Sequence, residues 1–421
     1  MMQRKSQLLV LVTVLIVVIA LTTFFAIRDS DSDASSRDVS NLAKECDIGT
    51  VLLLSSDYEV GVVIGDILPN AIVSDSSVGE SDVTVMDGSW MKTVGTKAAG
   101  EEISKSVASG VPVMVLDIAD SGLGDVVRTS VEIGCEGAVS KAFYRDASGI
   151  GYTYSVRGID VYGSIPYLLL WCDAIVEDDR VESLKRSSWI SQDQSRMPAQ
   201  LSLDDNGAEI ISYETVTDVS LFGRGTTTLT SCISRLTNIL DPNKDYYTIH
   251  YYHSGAPDAA NGIRLDELDL HTMVSTGTMH YAGPNTTQGS STTNASVNLG
   301  ASAGYSGGPY AVGNFDSSYN WSYTIPDVVL VTTFTSSSGN TDHDVDESKA
   351  VGNGFTGEPG ILFSGYVNDG YVHLVAHSFM YTYEKHSFLF WNTYEDRLQD
   401  WFSVDIWIWG DMASVDKIIL Y

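Results

Sequence analysis

Residues 294–305 alternate without a break. Ala295, Val297, Leu299, Ala301, Ala303 and Tyr305 fall on one side, and Asn294, Ser296, Asn298, Gly300, Ser302 and Gly304 on the other. A Gly307-Gly308-Pro309 turn follows, and alternation resumes over residues 314–325. There Phe315, Tyr319, Trp321, Tyr323 and Ile325 share one face with Ser317, and Asn314, Asp316, Ser318, Asn320, Ser322 and Thr324 share the other. Successive side chains of a strand point to opposite faces, so this is the period of a long β-hairpin. One face is apolar and the other is polar and uncharged, interrupted only by Asp316.

Earlier in the chain the period changes. Thr50–Leu54 and Val83–Met86 read as buried strands. Over Thr96–Ser109 the residues Ala99, Ile103 and Val107 form a one-face stripe, Glu101 and Lys105 an i,i+4 pair, and Gly110 a C-cap, which predicts a helix. Val111–Ile118 is a further β-branched strand. Strand, helix and strand joined by a short glycine turn predict a βαβ unit and a parallel sheet. Tyr152–Val156 is expected as a strand and Asp173–Ser188 as a closing helix. From Ile210 onward Thr, Ser, Tyr, Val and Gly dominate and alternation takes over, as in an all-β domain.

The N-terminus supplies a different signal. Leu8–Ile27 carries no charge, follows Arg4 and Lys5, and precedes Asp29, Asp31 and Asp33. At about 1.5 Å per residue it matches the ~30 Å hydrocarbon core, with the positive flank kept inside the cell. A cleaved signal peptide is the rival, although its apolar region is usually about 7–15 residues and ends in small residues. Arg4-Lys5-Ser6-Gln7 before this run also resembles the processing site of archaeal type IV pilin-like precursors.

The expected fold class is therefore multidomain α+β: an N-terminal transmembrane helix, an α/β Rossmann-like three-layer domain, then an all-β sandwich-like domain with a long hairpin. The expected boundaries are a cytoplasmic stub over 1–7, a signal-anchor helix over 8–27, a tether over 28–45, the α/β domain over 46–190, a linker over 191–209 and the all-β domain over 210–421. This implies a single-pass cell-membrane protein with an extracytoplasmic bulk.

Composition narrows the function. Acidic residues number 54 against 24 basic ones, a net charge of −30. Nucleic-acid partners are disfavoured because phosphate needs a basic surface, and anionic lipid heads are disfavoured on the same ground. The four cysteines, Cys46, Cys135, Cys172 and Cys232, match no zinc spacing; outside the cell they permit two disulfides in three pairings. Three glycosylation sequons begin at Asn285, Asn294 and Asn320.

Candidate chemistry is sparse, and an enzyme is the less favoured reading. Gly304-Tyr305-Ser306-Gly307-Gly308 fits G-x-S-x-G, but a strand rather than a helix follows, so the nucleophile elbow is missing. Gly122-Leu123-Gly124 lacks the third glycine of a dinucleotide fingerprint, since Val127 stands there. His373 and His377 would share one strand face, whereas His250 and His253 would face opposite ways. Asp342, Asp344 and Asp346, with Glu347, place oxygens at alternate positions and suit Ca²⁺, although the EF-hand glycine and glutamate are absent. No other cofactor is indicated.

The alternating hairpin, the following Tyr323-Thr324-Ile325-Pro326-Asp327-Val328 and the later Glu358-Pro359-Gly360-Ile361 before an aromatic β segment resemble the leukocidin/haemolysin-type β-pore-forming proteins over about residues 240–410. The resemblance implies a stem hairpin that joins those of other copies in a shared barrel. A transmembrane strand needs about 9–11 alternating residues, and both arms fit. Glycans at Asn294 or Asn320 would obstruct such a lumen. The leading reading is nonetheless a membrane-anchored surface protein with a structural, adhesion or ligand-binding role, which meets the membrane through residues 8–27 and surface proteins or glycans beyond it. The pore is its alternative, and an exported hydrolase a second alternative. A homo-oligomer fits the pore reading.

Overall fold

A computed structural model of the chain describes residues 46–75, 81–118, 123, 126, 140–145, 151–176, 208–219, 225–236, 243–288, 290–299, 320–345, 354–367, 371–388, 391–409 and 412–419. Strands β1 (Thr50–Leu54), β2 (Ile72–Ser74), β3 (Val83–Asp87) and β4 (Val113–Leu116) run parallel in the order β2-β1-β3-β4. Helices α1 (Tyr58–Ile67), α2 (Gly88–Val94) and α3 (Thr96–Ala108) connect them. Asp57 and Asp87 cap the first two helices, each accepting a backbone N–H bond, which satisfies donors that a helix start leaves orphaned.

The sheet does not end there. Strands β5 (Ser140–Arg145) and β6 (Gly151–Arg157) join antiparallel to β4 and to each other. β6 then pairs in parallel with β7 (Ala208–Val219), and the ring of Tyr152 stacks on that of Tyr213 at 5.2 Å across this seam. Beyond it the sheet continues antiparallel through β8 (Gly225–Leu236), β9 (Lys244–Pro257), β16 (Gly360–Tyr366) and β11 (Thr278–Gly283), with short β15 (Phe355–Gly357) also on β9. Helix α4 (Val161–Val176) contributes Ile165, Leu168, Leu169, Trp171 and Cys172 to the core.

The second sheet has seven strands in the order β12-β13-β14-β10-β17-β18-β19. Their spans are β12 (Thr292–Asn298), β13 (Asn320–Phe334), β14 (Ser338–Val345), β10 (Ile263–Val274), β17 (Val372–Phe388), β18 (Trp391–Trp409) and β19 (Met412–Ile419). Ile233, Ile249 and Tyr251 of the first sheet and Leu374, Phe402, Val404 and Ile406 of the second belong to one buried cluster. That is sandwich packing: each strand turns alternate residues inward.

Two expectations are corrected. The Rossmann-like three-layer α/β domain over 46–190 does not form. Four parallel strands occupy one end of a twelve-stranded sheet, and that sheet runs on through β5–β7 into the antiparallel region. A helix lies at Val161–Val176; of the closing helix expected over 173–188, residues 177–188 lie outside the described residues. In addition, no helix among the described residues is long and apolar enough to cross a membrane. The transmembrane helix and the single-pass membrane localisation drawn from it are therefore not supported; residues 8–27 lie outside the described residues. β7 begins at Ala208, within the end of the expected linker.

Candidate functional site

The alternating hairpin sits at one edge of the second sheet as β12 and β13. Asn294, Ala295, Ser296, Val297 and Asn298 register with Thr324, Tyr323, Ser322, Trp321 and Asn320, as the alternation requires. Its apolar face is packed within the single chain: Ala295, Val297, Leu299, Tyr323 and Ile325 are all buried. Ser296, Ser322 and Thr324 on the other face are exposed. Residues 300–319, with Ser306 and Asp316, lie outside the described residues.

β13 is shared unequally. Val328–Phe334 pair with β14 over its described residues, and Asn320–Thr324 pair with β12; residues 346–353, which follow Val345, lie outside the described residues. The outer part of the hairpin, Thr292–Leu299 with Asn320–Ile325, forms a flap at the sheet edge whose side chains pack onto the body.

Two aromatic residues of the flap make polar and ring contacts with the body. Trp321 donates its indole N–H to the Glu358 carbonyl at 2.9 Å, and its ring stacks on His250 at 4.0 Å. Tyr252 stacks on the same imidazole at 4.4 Å. Glu358 also reaches His250, with Oε2 3.1 Å from Nε2. Burial holds His250 below its ordinary pKa and outweighs the pull of Glu358. At neutral pH the contact is therefore a hydrogen bond to a neutral ring rather than an ion pair. Two residues along, the Tyr323 hydroxyl and His343 Nε2 share a 2.7 Å hydrogen bond. Burial lowers His343 to about 4. His253 bonds Ser378 at 2.7 Å and is lowered to about 3, by burial first and then by His343.

Two glycines shape the seat. A Cβ on Gly360 would run into the Trp321 ring and sit 3.3 Å from the Ile249 carbonyl oxygen, and one on Gly357 would come within 2.8 Å of His343 Nε2.

The other candidate residues lie apart from this seat. Asp342 and Asp344 belong to β14, opposite Asp269 and Glu267 of β10; Asp346 is outside the described residues. Burial and the neighbouring carboxylates raise Glu267 and Asp342, and burial raises Asp269 to about 6. Among the described residues no group of three or more His, Cys, Asp or Glu is arranged to hold a metal ion. His373 stacks on Trp407 at 4.3 Å and bonds Ser275, whereas His377 stacks on His271 at 5.7 Å.

Cys46, Cys172 and Cys232 carry free thiols, and Cys135 is not among the described residues. The Asp47 N–H donates to Asp173 at 2.8 Å, which brings the neighbouring Cys46 and Cys172 to one place in the core. Asn285 and Asn294 are exposed. His250 and His253 reach different partners, His250 the Trp321 ring and Glu358, and His253 the Ser378 hydroxyl. Glu358 and Gly360 stood out in the sequence only within the motif Glu358-Pro359-Gly360-Ile361, and nothing in it singled out His343.

Comparison with protein-family models gave no match, and comparison with curated proteins gave none. Among solved structures the chain is similar to a pore-forming protein (12% identity, TM-score 0.31, 51% of this chain and 99% of that one). It is also similar to the Clostridium perfringens NetB toxin in its membrane-inserted form (10%, 0.30, 51% and 100%) and to the Clostridium perfringens delta-toxin (9%, 0.30, 50% and 96%). These neighbours are of the class that residues 240–410 resemble. At such scores the likeness assigns no activity or partner to this chain.

Proposed function

We propose that the protein perforates membranes as a homo-oligomer, each copy contributing its edge hairpin to a shared β-barrel. The observation that supports this best is the flap itself. It is an alternating pair of strands at a sheet edge, uncharged over Thr292–Asn298 and Asn320–Ile325, with its apolar face shielded in the single chain. An edge strand presents unpaired N–H and C=O groups to another copy. In lipid those groups must all be satisfied, so hairpins can enter only as a closed ring. Trp321 and Tyr323 would then move from the protein core to the lipid side, and Ser296, Ser322 and Thr324 would line the lumen.

A second reading, binding of a surface ligand without membrane entry, draws on a different feature. Phe379 and Trp401 stack at 5.5 Å beside His377 and His271 on β17, β18 and β10, and partly exposed aromatic rings suit flat ligands.

The test mixes the full chain with dye-loaded phosphatidylcholine vesicles and images the same sample by electron microscopy. Dye release with ring-shaped particles is expected. Vesicles rich in phosphatidylglycerol should leak less, because the chain's charge of −30 repels them. Ser296→Lys adds a charge at an exposed position, so stability should change by no more than about 0.5 kcal/mol, while single-channel currents shift toward anions. Intact vesicles with monomeric particles would leave the surface-binding reading. Leakage with unchanged selectivity would remove this hairpin from the lumen.

A further inference from the structure

We infer that the flap is a proton-released latch, in which Tyr323 and Trp321 hold β12–β13 down by covering His343 and His250, so that acid frees the hairpin from the body. The inference rests on the proposed function for its use, but the latch can be measured without a membrane.

The geometry carries it. Asn320–Thr324 pair with β12 at the sheet edge, and the two aromatic side chains of this stretch reach imidazoles of the body, Tyr323 that of His343 and Trp321 that of His250. Lifting Tyr323 away would open His343 to water, and lifting Trp321 would open one face of His250. A buried imidazole resists protonation and a hydrated one does not. Releasing the flap therefore takes up protons, and by linkage protons favour release.

The groups around the latch do little to compensate. His343 meets Tyr323 from β13, the Phe355 ring from β15, and His253 from β9, which is itself a base. A proton on His343 would add a second positive charge beside His253 if that ring also charged. Tyr281 stands near Tyr323, and both phenols are held protonated by burial. Around His250 the titratable neighbours are Glu358, Tyr252 and, on β8, Cys232. Glu358 alone could stabilise a charged His250, so His343 is the principal switch and His250 the weaker one.

The sign follows from the depressed values. The docked form is favoured above the free-histidine range near 6.5 and loses that advantage as pH falls toward about 4, the docked value of His343. Within that window each pH unit should change the docked-to-released ratio by up to about tenfold for His343.

The experiment is hydrogen exchange on the full chain between pH 7.5 and 4.5, corrected for intrinsic rates. Peptides covering 292–299 and 320–327 should lose protection near pH 5 while those of β17 and β18 keep theirs. His343→Gln, which still hydrogen-bonds Tyr323 but does not titrate, should keep the flap protected at pH 5. Flap protection that does not change with pH overturns the latch, as does loss at the same pH in the variant. If His343→Gln does not fold, an NMR titration of wild-type His343 decides: a docked value near 6.5 overturns the inference and one below about 5 supports it. Acid release of the flap without vesicle leakage would uphold the latch and sink the pore. Equal leakage at pH 7.5 and 5 with a pH-independent flap would do the reverse.

Discussion

Strand β14 carries two opposed environments on consecutive residues. His343 turns inward, is fully buried under Tyr323 and has its pKa pushed down. Asp342 and Asp344 turn outward onto β10, where Asp342 faces Asp269 and Asp344 faces Glu267. There burial and mutual repulsion push Glu267 and Asp342 up. The period of two in a strand places a group that acid charges and groups that acid neutralises back to back. Falling pH weakens the inner contact, because a depressed histidine contributes stability only above its unfolded pKa. It relieves the outer one, because carboxylates with raised values lose stability only as pH rises through those values. Acid should therefore free the flap while tightening the sheet that holds it, rather than loosening the molecule evenly.

Removing the flap's main anchor should break this contrast most severely. Trp321→Ala deletes the indole stacked on His250 and its bond to the Glu358 carbonyl. Truncating a packed tryptophan costs about 3 kcal/mol, so hydrogen exchange should show peptides 292–299 and 320–327 open already at pH 7.5. β10 and β14 should stay protected, since their ladder does not involve Trp321. Gly360→Ala attacks the same seat from below. Its methyl collides with the Trp321 ring and is confined by Ile249, an overpacking that costs roughly 1–3 kcal/mol. The expected reading is faster flap exchange at every pH, shifting the acid transition upward. Unchanged exchange in both variants would mean that Trp321 does not hold the flap.

The legible parts of this molecule were those with local signals. Helix Thr96–Ala108 appeared where its Ala99/Ile103 stripe put it, and both are buried. The hairpin register followed from alternation alone. What failed was long-range. The parallel β6–β7 pair joins residues about sixty apart, and no periodicity marks a sheet that continues across such a gap, so a βαβ start read as a separate Rossmann-like domain. Helix α4 contains Pro166, which argues against a helix, yet burial of Leu168, Leu169 and Trp171 overrides it. The alternate aspartates after Gly339 read as oxygens suited to Ca²⁺; their spacing is equally that of a strand face, and the partners Glu267 and Asp269 lie too far back in sequence to be seen. The seat of the flap was hidden for the same reason, since it gathers residues from β9, β13, β14 and the turn before β16.

The smallest expected effect tests the outer side of β14. Glu267 and Asp342 share a hydrogen bond; burial and then Asp342 raise the cost of ionising Glu267, while burial, Asp269 and Asp344 raise that of Asp342, so near neutral pH the pair favours retaining a proton. Asp342→Asn removes one charge and supplies a permanent donor to Glu267. Above the raised carboxylate values the variant should be more stable than wild type, by no more than about 1 kcal/mol because the ladder is half open to water and screened. The gain should shrink as pH falls and vanish below about 4, where all these carboxyls are protonated in folded and unfolded chains alike. Thermal melts at pH 8.5, 6.5 and 4 follow this directly. A melting temperature equally raised at all three would mean that the substitution acts by packing. The same melts leave His343 untouched, so the acid release of the flap should survive in Asp342→Asn; its disappearance would show that the two faces of β14 are coupled through the strand rather than independent.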